Sequence, residues 1–158
     1  MAGKTKKIHR YRRRAKSLIA AKKINPQAWD ITEDEALEAL TRQGEPVYKI
    51  KKIHPLKHQV CISFWDAKGN VYSGFFSYRI FERWQQEVEK LIYACQNLKQ
   101  WLLLNSILQY ELEYYAYAKN VVYAIDRALK NRLSQLEAIL TTSGWEDLLN
   151  KAILSTEW

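Results

Sequence analysis

The sequence predicts an α+β fold: a small antiparallel sheet of two or three strands, a dominant helical hairpin or bundle, and a basic helical arm at the N-terminus. Three observations carry this. Residues 47–76 are rich in β-branched and aromatic residues set between turn residues. Between Gly74 and Gly144 there is neither Gly nor Pro, and apolar residues recur there every three or four positions. Residues 1–29 hold ten of the chain's 25 Lys and Arg and no acid, which divides a basic arm (residues 1–24) from a single globular domain (residues 25–158).

The arm comes first in the chain. Its bases are Lys4, Lys6, Lys7, Arg10, Arg12, Arg13, Arg14, Lys16, Lys22 and Lys23; from Asp30 onward the remaining fifteen bases meet seventeen acids, so the body is nearly neutral. Ile8, Tyr11, Ala15 and Leu18/Ile19 fall at helical spacing, which predicts a helix over residues 6–23. Ten like charges repel one another, and a polyanion relieves that repulsion. Contact of six of them with phosphates on duplex DNA gives a slope of log K on log salt of about −5. Solubility, an anionic lipid surface, a transit peptide and an acidic protein are the competing uses of such an arm.

Asn25-Pro26 separates the arm from a short helix over residues 33–42. That helix opens on the capping box Thr32-Glu-Asp-Glu35, closes at Gly44 and Pro46, and turns Ala36, Leu37 and Leu40 toward the body. Three β-rich segments follow, read as a sheet of two or three strands. Residues 47–53 carry Lys49, Lys51 and Lys52, which with Lys57 form a second basic patch. Residues 59–65 place Val60, Ile62 and Phe64 on one face. After the turn Asp66-Ala-Lys-Gly-Asn70, residues 71–76 return. Ser77 is placed to cap a long helical stretch. One helix over residues 78–140 would be about 95 Å long, so the pattern predicts two helices, broken near Asn105-Ser106 or Lys119-Asn120. Ser143-Gly-Trp-Glu146 reads as a capping box opening a last helix, so the helical half spans about residues 78–156.

No catalytic motif is present, and neither a cofactor nor a metal is expected. His54 and His58 are four apart, but Pro55 denies them a helix and no fourth ligand follows Cys61. Asp66-Ala-Lys68 resembles the acid-x-Lys pair of metal-dependent nucleases, yet it sits where a turn calls for Asp. Cys61 and Cys95 read as structural thiols on apolar faces. Tyr110, Tyr114 and Tyr117 lie at i, i+4 and i+7, one helix face: a stacking surface, a bundle rim or a protein interface. Glu111 and Glu113 beside these rings disfavour phosphate there.

Within residues 48–91, Val60-x-Ile62, the Gly69-Asn70 turn, Gly74-Phe75-Phe76 and the Ser77-led helix resemble, in outline, the AP2-type and integrase arm-binding domains. The resemblance covers about a quarter of the chain. It implies a three-stranded sheet followed by a helix, with the sheet in the DNA major groove. Those families load the sheet with Arg and Trp, whereas residues 59–76 here hold Lys68 as their one base. A basic arm joined to helices is also similar in layout to small subunits of ribonucleoprotein complexes.

The expectation is therefore a non-catalytic nucleic-acid-binding accessory or assembly subunit, RNA slightly ahead of DNA, whose helical half meets protein partners. The alternative is a scaffold subunit that assembles through its aromatic helices, as a homo-oligomer or with other chains, and grips an acidic protein or membrane surface with the arm. With no apolar run long enough to span a bilayer and no secretory signal in residues 1–23, a cytoplasmic location is expected.

Overall fold

The structure, a computed structural model, describes residues 17–154. In chain order it holds a 3-10 turn at Pro26–Ala28, helix α1 (Glu33–Arg42), strands β1 (Lys49–Pro55), β2 (Val60–Trp65) and β3 (Val71–Phe76), a second 3-10 turn at Tyr78–Ile80, and helices α2 (Glu82–Ala94), α3 (Leu98–Tyr114) and α4 (Lys119–Leu154). This is the α+β architecture the sequence predicts, with the sheet antiparallel in the order β1-β2-β3.

Helix α1 begins where Thr32 accepts the Glu35 amide at 3.2 Å, and three acids in its first turn favour its dipole. It ends in a left-handed Gly44 (φ +79°), with the Gly44 and Glu45 amides donating back to Thr41 and Leu40. The capping box closes only from one side, because the Glu35 carboxylate pairs with Arg83 of α2 instead.

The β2–β3 hairpin turns on Asp66. Its carboxylate accepts the Lys68 and Asn70 amides and the Asn70 side chain, and Gly69 takes the left-handed position (φ +83°). Burial alone would push the Asp66 carboxyl up, but these hydrogen bonds and one from Tyr72 hold it below its ordinary value. The register stacks Ile50, Phe64 and Tyr72 on one face with Ile53, Ile62 and Gly74. At Gly74 a Cβ would stand 3.0 Å from the Phe76 ring, which covers this position.

The inner sheet face packs on the helices to form one core. Phe64, Ile62 and Val60 meet Tyr78, Trp84, Val88, Ile92, Leu108 and Ile125, all buried. Fully burying a side chain of this size is worth roughly 1.5–3 kcal/mol.

The helical half departs from its sequence reading in three places. Ser77 caps the 3-10 turn, not the long helix, which starts at Glu82. The break near Asn105-Ser106 does not occur: both lie inside α3, and the chain turns instead at residues 95–97 and 115–118, the latter beside the predicted alternative at Lys119-Asn120. Asn97 accepts the Gln100 amide, Gln100 accepts the Gln96 amide, and Arg132 donates twice to the Cys95 carbonyl, so the turn is well bonded without Gly or Pro. Finally, Ser143-Gly-Trp-Glu146 opens no helix, because α4 runs through it. An N-cap must leave helical backbone angles, and here Thr141 and Thr142 bond back to Glu137 and Ala138, as hydroxyls inside a helix do. Among the described residues no helix is long and apolar enough to cross a membrane.

Candidate nucleic-acid interface

Strand β1 contains the sequence Ile50-Lys-Lys-Ile53. In a regular strand, residues three apart point to opposite faces. A bulge between Ile50 and Lys52 resolves this conflict: Ile50 pairs with Phe64 and Ile53 with Ile62, so both isoleucines turn inward. The consecutive residues Lys51 and Lys52 are thereby left exposed with Lys49. Apolar burial thus concentrates three ammonium groups along one edge of the outer sheet face.

Across from them stands Trp65, which pairs with Lys49 in register and carries the Lys49 and Lys51 ammoniums 5.8 and 5.6 Å from its ring centroid. The next positions on this face are Ser63 and Ser73, whose hydroxyls meet at 2.6 Å, and then Cys61 and Phe75, which pair in register opposite His54. Phe75 is 65% exposed. The three strands contain no Asp or Glu. The outer face is therefore cationic on one side, aromatic on the other, and free of anionic groups between.

Of the arm's bases, Lys4, Lys6, Lys7, Arg10, Arg12, Arg13, Arg14 and Lys16 lie outside the described residues, as does most of the helix expected over residues 6–23. Residues 17–24, counted with the arm on sequence, fold as turns into the body. Leu18, Ile19 and Ile24 are buried, which apolar side chains at the root of a charged segment achieve only by joining the core. Lys22 and Lys23 are exposed, and the charge of Lys23 reaches the Cys95 thiol at the end of α2; burial pushes that thiol up against the pull of Arg132 and Lys23. Lys57 is exposed in the β1–β2 turn. Cys61 is half-buried on the outer sheet face and Cys95 is buried. Among the described residues no three of His, Cys, Asp and Glu are grouped to hold a metal.

The tyrosine stripe is divided. Tyr110 and Tyr114 stay on α3 with ring centroids 4.4 Å apart. Tyr117 does not share that face, because α3 ends at Tyr114 and the chain turns inward. Its hydroxyl accepts the Trp84 indole N–H at 2.9 Å and donates to Glu111 at 3.0 Å. Nor does Glu111 flank exposed rings: it is fully buried.

Glu111 is the centre of a polar network not foreseen from the sequence. Its Oε1 accepts the Leu18 amide at 2.7 Å and Arg79 Nη2 at 2.8 Å; its Oε2 accepts Arg79 Nε at 2.7 Å and the Tyr117 hydroxyl at 3.0 Å. Four donors fill the carboxylate's lone-pair sites. The Arg79 guanidinium lies over the rings of Tyr115 and Trp84, 3.5 and 4.7 Å from their centroids. Burial opposes the charge on Arg79, but Glu111 outweighs it and raises its pKa. The first residues of the body, the turn after β3, α2 and the end of α3 are fastened at this one point. The signal was present: Glu111 continues the buried α3 stripe of Leu104 and Leu108 at i, i+4, i+7.

Burial and the adjacent Glu111 charge raise the Tyr117 pKa well above its ordinary value of 10.0. The unfolded chain releases this proton first, so the stability it contributes is complete below about pH 10 and is lost as pH rises beyond. Urea midpoints measured at about pH 8 and about pH 11 are expected to fall between the two. Tyr117→Phe should flatten that fall; an unchanged pH profile in the variant would show that Tyr117 does not carry it.

Compared with known protein families, curated proteins and solved structures, the chain matches none of them.

Proposed function

We propose that this protein binds nucleic acid without catalysing a reaction on it, using the outer face of its three-stranded sheet together with the basic N-terminal segment. The single observation that carries this is the juxtaposition of Lys49, Lys51 and Lys52 with Trp65 on a face whose strands hold no acid. Ammonium groups without carboxylates to neutralise them attract phosphate, and release of counterions drives association. The bases of residues 1–16 add to the same attraction. The Glu111 network holds the Leu18 amide, two residues after that segment. The helical half supplies protein contacts, for which α3 offers the exposed Leu103 and Tyr114, with the half-buried Tyr110 ring against Tyr114. On this reading the protein is an accessory subunit of a nucleic-acid-containing assembly.

A salt titration of binding tests it. Reversing charge at Lys49, Lys51 and Lys52 together is expected to weaken binding and to reduce the slope of log K on log salt by about 2 to 3, as removal of three phosphate contacts requires. Charge reversal at Lys130, which pairs with Asp126 on α4, should leave the slope nearly unchanged. Equal slopes for the wild-type and triple variants overturn the sheet as the binding face.

A further inference from the structure

Resting on the nucleic-acid reading, we infer that the ligand of the sheet face is single-stranded RNA, with unpaired bases stacked on Trp65 and Phe75. The outer face lacks the planar groups that read a duplex groove best. Base edges are distinguished by paired hydrogen bonds from Arg, Lys, Asn, Gln or acids, and less selectively by Ser; of these β1, β2 and β3 hold only Lys and Ser, and two of the lysines sit over an aromatic ring. What the face offers is two aromatic rings, a row of lysines and two serines. A ring recognises the flat face of a base, which is covered by its neighbours inside a duplex and open in a single strand.

The positions of the groups fit such a strand. Trp65 pairs with Val71, and Phe75 pairs with Cys61, four residues along β2 from Trp65. The two platforms are therefore separated by about 13 Å along the sheet. The Ser63–Ser73 hydroxyl pair lies between them. One hydroxyl donates to the other, which leaves one proton and spare lone pairs for a ribose 2′-hydroxyl, the group that distinguishes RNA from DNA. Trp65 is half-buried and carries the Lys49 and Lys51 ammoniums over its ring, so a base that stacks there displaces them onto the phosphates that flank it. Lys52 stands in register with Ser63 and Ser73, beside the ribose position.

The test compares binding of a short mixed-sequence RNA strand, the same DNA strand and the corresponding duplex, all at one salt concentration. The single RNA strand is expected to bind tightest. Trp65→Ala and Phe75→Ala should each weaken it about 5- to 150-fold while changing duplex affinity little. Phe75 is exposed, so its variant tests stacking even where Trp65→Ala disturbs the sheet. Ser63→Ala with Ser73→Ala should narrow the preference for RNA over DNA. Duplex binding as tight as that of the single strand, or wild-type affinity in Phe75→Ala, overturns the stacking inference. Equal binding of the RNA and DNA strands overturns the ribose contact and with it the assignment to RNA. If charge reversal at the three lysines abolishes binding while Phe75→Ala does not weaken it, the stacking inference alone fails. If neither change affects binding, the sheet is not the binding face and both readings fall.

Discussion

Replacing Glu111 by Ala is expected to lower the unfolding free energy by about 3–5 kcal/mol, the usual consequence of leaving a buried charge without its partner. The Arg79 side chain is 4% exposed and the Glu111 side chain 0%, so water cannot take over the lost contacts. The deletion also strands the Leu18 amide and the Tyr117 hydroxyl, two donors that Glu111 satisfies. Arg79→Ala should cost a similar amount, because it leaves the carboxylate with two fewer donors and no counter-charge. The pair itself is not the source of that stability, since desolvating two ions nearly cancels their attraction. Arg79→Met combined with Glu111→Leu should therefore recover the part due to the unpaired charge, while the Leu18 amide and the Tyr117 hydroxyl stay without their acceptor. Denaturant unfolding of Arg79→Met, Glu111→Leu and the two combined closes the cycle and gives the coupling directly. A loss below about 1 kcal/mol for Glu111→Ala would mean that the carboxylate is solvated in the native protein.

Where local chemistry decides the backbone, the sequence was readable. Thr32 with Glu35 set the start of α1, Gly44 its end, and Asp66 with Gly69 the β2–β3 turn. The alternation of Val60, Ile62 and Phe64 gave the inward face of β2 correctly. Most of what escaped was set by partners distant in sequence; one helix cap is the local exception. The turn at residues 95–97 has no Gly or Pro, yet Asn97 and Gln100 three residues apart are a cap that composition alone does not flag. The bulge in β1 follows from two isoleucines three apart both seeking the core, a conflict visible only once Phe64 and Ile62 face them. Tyr117 fits a helical face by arithmetic. Its hydroxyl is drawn inward by Trp84 and Glu111, 33 and 6 residues away. The sheet lysines were identifiable from sequence, whereas their approach to Trp65 depended on register.

Residues 17–24 give the second large effect. A chain beginning at Gln27 is expected to lose its cooperative fold, whereas one beginning at Ala15 should retain it. The shorter chain loses Leu18, Ile19 and Ile24, which are 0%, 6% and 4% exposed. Removing each large apolar side chain from a core costs about 2–5 kcal/mol, and a typical domain has only about 5–15 kcal/mol of stability in total. It also removes the Leu18 amide from Glu111 and the Pro26 ring from the core. The longer chain keeps all of these contacts while shedding seven of the arm's bases, so it separates the arm's electrostatic contribution from the integrity of the body. Thermal melts of the two chains decide the matter. A sharp transition in the chain beginning at Gln27, within a few degrees of the full-length protein, would mean that residues 17–24 rest on the body without supporting it. With the expected result, loss of nucleic-acid binding in that shorter chain reports unfolding, and only the chain beginning at Ala15 can reveal what the basic arm contributes.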